Sequence, residues 1–366
     1  MIRQHGKLTF LSFLLVVLCG NTFAQKIPVI PLDLDSLITV GYATGSLKTL
    51  SGSVEKITEK QMNKDQVTNP LEAIRGRVPG LTIQRGTNGL AALDAVRLRG
   101  TTSLTSGNDP LIIVDGVFGD LSMLTSIYPT DIESFTILKD ASETAQYGSR
   151  GASGVIEVTT KKGMQGRTQV AYNGSFGIST VYKNLKMLSG DEFRSVASER
   201  GISILDKGNN TNFQKEIQQT GLQQNHHVAF YGGSSTSSYR VSLGFMDRQG
   251  VILNEDMKNF TSNMNMNQKM FDGFFDCELG MFGSILKNHN LVDYQKTFYS
   301  AATFNPTYPN HKDPVTNSWD GITTASQITN PLAWMQVDDD DATSHISTHA
   351  RFTFNLMKEL KLVLFG

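Results

Sequence analysis

Residues 108–117 read NDPLIIVDGV, and residues 131–163 read DIESFTILKDASETAQYGSRGASGVIEVTTKKG. An uninterrupted apolar run, Leu111 to Val114, ends at Asp115-Gly116, a pair suited to a tight turn because both residues tolerate positive φ. A second apolar run, Ile132 to Leu138, leads into a short Ala/Ser/Glu segment. A glycine-dense turn follows, with Gly148, Gly151 and Gly154, and then a last strand from Val155 to Thr160. Short, wholly apolar runs bounded by turn residues suit strands buried on both faces.

Upstream, Ser51 to Ile57 reads as a strand. Pro70 to Val78 reads as a short helix, because Leu71, Ile74 and Val78 share one face, and Pro79-Gly80 stops it. Leu81 to Arg85 and Val96 to Gly100 read as two more strands, the second alternating apolar and basic. From Arg167 onward the texture changes to long segments of period two. Val170, Tyr172, Phe176 and Ile178 alternate with polar or small residues; so do Tyr239, Val241, Leu243 and Phe245, and likewise Phe260, Met264 and Met266. The pattern repeats in Phe275, Cys277, Leu279 and Met281, and in Phe352, Phe354 and Leu356. The opposite faces carry Asn, Gln, Arg and Asp, as a wet lumen requires. Short turns at Gly232–Ser238 and Phe271–Gly273 alternate with long connections. Met187 to Thr220 contains a predicted helix, Gly190 to Arg200; the proline-marked His289 to Asp341 reads as an extracellular loop. A soluble β-sandwich shows the same alternation.

The N-terminus has the order of a secretory signal. Arg3 and Lys7 precede an apolar stretch, Leu8 to Leu18, and Thr22-Phe23-Ala24 supplies small residues, so cleavage is expected after Ala24. The stretch is too short to span a bilayer core of about 30 Å, and bulky Leu18 argues against lipidation at Cys19. No other segment approaches the ~20 apolar residues of a spanning helix. A mature chain in a membrane is therefore there as a barrel. Among 366 residues the net charge is -1, which leaves no nucleic-acid footprint. Only Cys277 follows the signal, so no internal disulfide is expected.

Candidate chemistry is sparse. Gly148, Gly151 and Gly154 follow an Ala/Ser segment and lead into a strand, the wrong order for a dinucleotide fingerprint. There is no P-loop, no H-E-x-x-H and no G-x-S-x-G. The run Asp338 to Asp341 lacks the spacing of a calcium loop and reads as a solvated loop, with ion binding left open. His226 and His227 are adjacent in a strand and point to opposite faces, so they cannot share an ion. Trp334, Tyr299, Tyr308 and Phe304 could stack on sugar rings, join an interfacial girdle, or pack a loop on itself. Neither a cofactor nor an enzymatic activity is expected.

Residues 108–163 resemble, nearly residue for residue, the plug domain of SusC/RagA-type TonB-dependent outer-membrane transporters. Asp35 to Thr44, DSLITVGYAT, resembles that family's TonB box, with Ala43 where a second glycine is usual. The stretch from Thr220 to Ile252 resembles its early barrel strands. The resemblance implies an α+β plug domain followed by an antiparallel transmembrane β-barrel. It divides the chain into a signal peptide (1–24), a leader with the TonB-box-like segment (25–50), a plug (51–166) and the N-terminal part of a barrel (167–366). Asp35, Leu37, Ile38, Thr39, Val40 and Gly41 would contact TonB by adding a strand to its sheet. Arg97, Arg99, Gly100, Asp115, Gly116, Gly148, Arg150, Gly151 and Gly154 would hold plug architecture, with Arg97 and Arg99 facing the barrel wall. Implied partners are TonB, a SusD-like surface lipoprotein and outer-membrane lipid, with no nucleic acid; the implied place is a Gram-negative outer membrane. A plugged barrel has about 22 strands, against seven or eight candidates here, so a truncated or partial sequence is expected. The alternative is a secreted β-rich binding or adhesin module. The transported substrate is not legible.

Overall fold

The computed structural model describes residues 37–40, 43–46, 52–63, 67–85, 90, 93–105, 107–291, 293–321, 330–337, 339–357 and 360–366. The signal-like stretch, Cys19, Asp35, Gly41 and Asp338 lie outside them. Strands β1 (Leu37–Val40) and β2 (Ala43–Ser46) form a hairpin of their own. The plug contains β3 (Val54–Thr58), the hairpin β4 (Leu81–Arg85) with β5 (Leu93–Leu98), β6 (Leu111–Val114), β7 (Val117–Gly119), β8 (Ile132–Leu138) and β9 (Val155–Thr160). Five of these build one mixed sheet in the order β3-β8-β9-β6-β7, with β6 and β9 parallel. The apolar run Leu111–Val114 is buried at every position, as a strand covered on both faces must be.

Asp115 and Gly116 have φ of 49° and 94°. They join Val114 to its partner Val117, and positive φ at both central residues gives the turn a twist that matches the strands it connects. The helix expected over Pro70–Val78 is shorter and tighter: a 3-10 turn, Pro70–Ile74. Asn69 Oδ1 caps it by accepting from Leu71 N at 3.1 Å, and the chain leaves the helix at Arg75 before Gly76 takes φ 72°. Leu71, Ile74 and Val78 still reach the core, where they meet Val96, Leu98, Leu124 and Phe135.

The second layer is a seven-stranded antiparallel sheet in sequential order. It comprises β10 (Gly166–Ser179), β11 (Gly221–Gly233), β12 (Ser237–Gln249), β13 (Asp256–Met270), β14 (Phe275–His289), β15 (Asp340–Met357) and β16 (Leu360–Phe365). Its end strands β10 and β16 do not pair, so the sheet is open. The connections 234–236 and 271–274 lie at one rim, and the long ones, 180–220, 250–255 and 290–339, at the other. Leu243, Phe245, Phe260, Met266, Leu279 and Ile285 are exposed on the outer face. Asn225, His227, Arg240, Ser242, Asn263 and Asn265 are buried on the inner one, and the plug lies against that inner face. Cys277, two residues before Leu279, shares the outer face and is half-buried opposite Phe352. Among the described residues no helix is long and apolar enough to cross a membrane.

The loop rim departs from expectation. His289–Asp341 is not a plain loop: it contains helices Tyr294–Thr303 and Pro331–Trp334. Asp293 caps the first by accepting from Lys296 N at 2.8 Å. Leu291, Ala301, Phe304 and Met335 then pack with Phe213, Ile217 and Ile252 into a separate core. The flanking prolines and polar residues hid a single apolar face. The helix Gly190–Glu199 stands where the sequence puts one, under a capping box of Ser189 and Glu192.

Candidate functional site: the interface between plug and sheet

Asp131 ends a short 3-10 turn, Pro129–Asp131, at the entry to β8. Its backbone is fixed on both sides, by Asp131 N to Tyr128 O at 2.9 Å and by Lys161 N to Asp131 O at 2.7 Å. The side chain reaches out of the plug into the sheet and is 3% exposed. Arg240 Nη2 donates to Oδ1 at 2.8 Å, His227 Nε2 lies 3.0 Å from the same oxygen, and Ser242 Oγ donates to Oδ2 at 2.6 Å. The tautomer that puts a proton on His227 Nε2 makes that contact a hydrogen bond. Tyr128 stacks on the His227 ring, centroids 4.7 Å apart. Burial pushes the Asp131 carboxyl up, but the bonds from His227, Ser242 and Arg240 outweigh it and hold it below its ordinary range. Asp131 is therefore a carboxylate near neutral pH. Tyr128, pushed up to about 12 by burial and by the Asp131 charge, stays neutral.

Other bonds cross the same interface. Toward the loop rim Arg248 donates to Thr68 Oγ1, Asn259 Nδ2 donates to Thr125 O at 2.9 Å, and Ser284 Oγ lies 3.1 Å from Ser126 Oγ. Toward the turn rim Asn265 Nδ2 donates to Thr160 Oγ1 at 3.1 Å, and Lys162 pairs with Glu278. Among the described residues apolar contact is made by Phe282, which enters the plug core, by Tyr128 and Leu90 with Met246, Met257 and Leu286, and by the Phe365 ring over Gly116. Polar partners can exchange for water when two surfaces part, at a net ~0.5–1.5 kcal/mol per neutral bond. Apolar surface has no such exchange. An interface built this way fixes register and is still separable.

The residues singled out in the sequence lie mostly within the plug. Asp115 accepts from Thr160 N at 2.9 Å and from Thr160 Oγ1 at 2.6 Å, binding the β6–β7 turn to β9. Arg97 pairs with Asp109 and Arg99 with Asp140, acids of the plug itself. Arg99 and Gly100 both have positive φ, and Gly148 does as well. Gly151 is buried, and Arg150 lies 5.8 Å from the Phe118 ring. Gly154 has φ 90°, and a Cβ there would overlap Leu98 Cδ2. Gly116 touches the sheet: its absent Cβ leaves room for the Phe365 ring, 2.8 Å from where that carbon would be.

Leu37 to Val40 pair with Ala43 to Ser46, Leu37 opposite Ser46. His226 turns outward to Tyr172 Oη at 2.7 Å while His227 turns inward, the split that strand geometry requires. Asp340 Oδ1 lies 2.7 Å from His289 Nδ1. Among the described residues no group of three or more His, Cys, Asp or Glu side chains is placed to hold a metal. Of these four, the sequence marks only His227, and that only as unable to share an ion with His226; Asp131, Arg240 and Ser242 carry no mark of a site. The available signal was a charged Arg and a His in mid-strand on the polar face of β11 and β12.

Residues 46–155 match the family model of the TonB-dependent receptor plug domain. The chain is 32% identical to TonB-dependent receptor SusC of Bacteroides thetaiotaomicron, over 90% of this chain and 36% of that protein. It is 34% identical to TonB-dependent receptor P3 of Formosa agariphila, over 72% of this chain and 26% of the relative. It thus spans about a third of the length of the curated relatives it matches. Among solved structures, the RagAB peptide importer in its open-open state superposes with TM-score 0.75 at 24% identity, covering 90% of this chain and 42% of the other. The siderophore receptor PirA of Acinetobacter baumannii superposes at 0.52 and 16% identity, covering 85% and 39%. The two likenesses show a shared fold.

Proposed function

This chain belongs to the SusC/RagA-type TonB-dependent transporters, and from that premise we propose that it takes part in active import of an oligosaccharide or a peptide across an outer membrane. The plug is the gate. It is docked on the inner face of the sheet through Asp131, His227, Arg240 and Ser242, and this buried polar lock is the observation that carries the reading. TonB takes hold of the segment around Leu37–Val40 by adding a strand, and backbone hydrogen bonds transmit the pull. The pull opens the plug–sheet interface, where hydrogen bonds can be exchanged for water. No bond in the cargo is made or broken. A SusD-like lipoprotein over the loop rim captures the ligand first. The outer face, with Leu243, Phe260 and Leu279, meets lipid. The signal peptide at 1–24 delivers the chain there, and the segments 25–50, 51–166 and 167–366 act as leader, plug and barrel wall.

Deleting residues 35–42 tests this. Uptake should be lost while ligand binding at the cell surface is kept; unchanged uptake removes the TonB-contact assignment. Loss of binding together with uptake points instead to a β-rich binding module.

A further inference from the structure

The segment that leaves β8, Lys139 to Glu143, grips the chain where it enters the plug. Gly52 N donates to Glu143 Oε1 at 2.9 Å, and Ser53 N donates to Asp140 Oδ2 at 2.6 Å. Lys139 N donates back to Ser53 O at 3.2 Å, and Lys139 Nζ donates to Glu55 Oε2 at 2.5 Å. Glu143 is buried. Gly52 makes room for it, since a Cβ there would lie 1.6 Å from Glu143 Oε2. Asp140 stands at the N-cap of the short helix Ala141–Thr144, yet its side chain makes no cap bond. An acid in that place ordinarily accepts from its own helix; this one is committed to Ser53 and to Arg99. β3 follows at once. It lies at the edge of the plug sheet and pairs with β8, Val54 opposite Leu138 and Thr58 opposite Ser134.

The geometry points to Glu143 and Asp140 as a clasp that takes the load when the leader is pulled. The twelve residues from Val40 to Gly52 span at most about 40 Å when extended. Once that slack is drawn out, Gly52 N and Ser53 N are the first held groups that the load reaches, whether β3 is then peeled or sheared. Each gives its hydrogen to a carboxylate, a bond roughly twice as strong as the neutral bonds between β3 and β8. The barrier therefore stands at the entrance and not within the strand. A pull too weak to open the clasp leaves β3 paired, and one that opens it meets weaker bonds beyond. The inference rests on the proposed pull through Leu37–Val40 and adds to it the residues that set how hard the pull must be.

Constant-force pulling tests it. The full-length protein is held in a bilayer and tethered at a Thr44→Cys handle in the Cys277→Ala background, and the rate of the first extension step is read. Glu143→Ala should speed that step about ten- to a hundredfold, the loss of one hydrogen bond to a charged group. Ile57→Val weakens the packing of β3 itself and should leave the first step within about twofold of the parent. Glu143→Ala within about twofold of the parent overturns the inference. So does an Ile57→Val that speeds the first step as much as Glu143→Ala, because the barrier then lies in the strand. If Glu143→Ala does not fold, Glu143→Gln keeps an acceptor of similar shape without the charge. It should speed the step about threefold to tenfold, and a rate within about twofold of the parent again overturns the inference. The instrument supplies the pull, so failure here leaves the transporter reading standing.

Discussion

Replacing Asp131 by Ala removes the acceptor shared by Arg240, His227 and Ser242 and leaves the Arg240 guanidinium as an unpaired buried charge. Breaking a buried pair from one side costs about 3–5 kcal/mol. At 1.36 kcal/mol per decade, that raises the open fraction of the interface roughly a hundred- to several-thousand-fold. The lower half of that range is expected, because Arg240 regains water once the plug lifts. The assay is thiol labelling of a Ser126→Cys probe in a Cys277→Ala background. Ser126 is fully buried between plug and β14, so labelling reports opening. A triple variant, Asp131→Leu, Arg240→Met and His227→Phe, should return to within about tenfold of the parent, since apolar residues of similar volume often replace a buried ion pair without loss. Labelling of Asp131→Ala within about twofold of the parent would refute the lock. A triple variant as open as the single one would refute the assignment of the loss to an unpaired charge.

Three further outcomes follow from the same geometry. The Asp131 carboxyl is held below its unfolded range, so its contribution is complete above that range and is lost as pH falls through the folded value. The melting midpoint of the plug should therefore be level from about pH 8 to 5 and drop below about pH 4, with a smaller drop in Asp131→Asn, where Asp120 and Asp140 still titrate. Gly154→Ala should lower that midpoint sharply, since it adds strain of about 1–3 kcal/mol at φ 90° to an overlap with Leu98; Gly107→Ala, with open space around it, should not. Leu243→Arg on the outer face should destabilise the protein in bilayers by about 2–4 kcal/mol, measured by urea titration, if that face meets lipid; a change under about 0.5 kcal/mol contradicts it.

The strands were legible because their periods are simple. Leu111–Val114 and Ile132–Leu138 read as buried strands and are. The alternation in Tyr239–Phe245 and Phe260–Met266 gave the facing that the structure has, Leu243 out and Ser242 in. What failed was pairing between distant segments. Nothing local to Arg97 and Arg99 shows that Asp109 and Asp140 are their partners. Asp131 carries no local mark: it reads as the polar end of a turn, and its partners lie 96, 109 and 111 residues away. The rim helix Tyr294–Thr303 was lost among prolines because its buried face is narrow and its partners, Phe213 and Ile252, come from other connections.

The most direct test of the gate is a reversible staple. Ser126 Oγ and Ser284 Oγ are 3.1 Å apart across the interface, close enough for a disulfide after both are changed to Cys in the Cys277→Ala background. The measurement is uptake, in the native bacterium, of the nutrient whose use depends on this protein, before and after reduction. If the plug must part from the sheet, the oxidised protein binds but does not import, and a reductant restores import. Import at the parent rate with the staple closed contradicts the account.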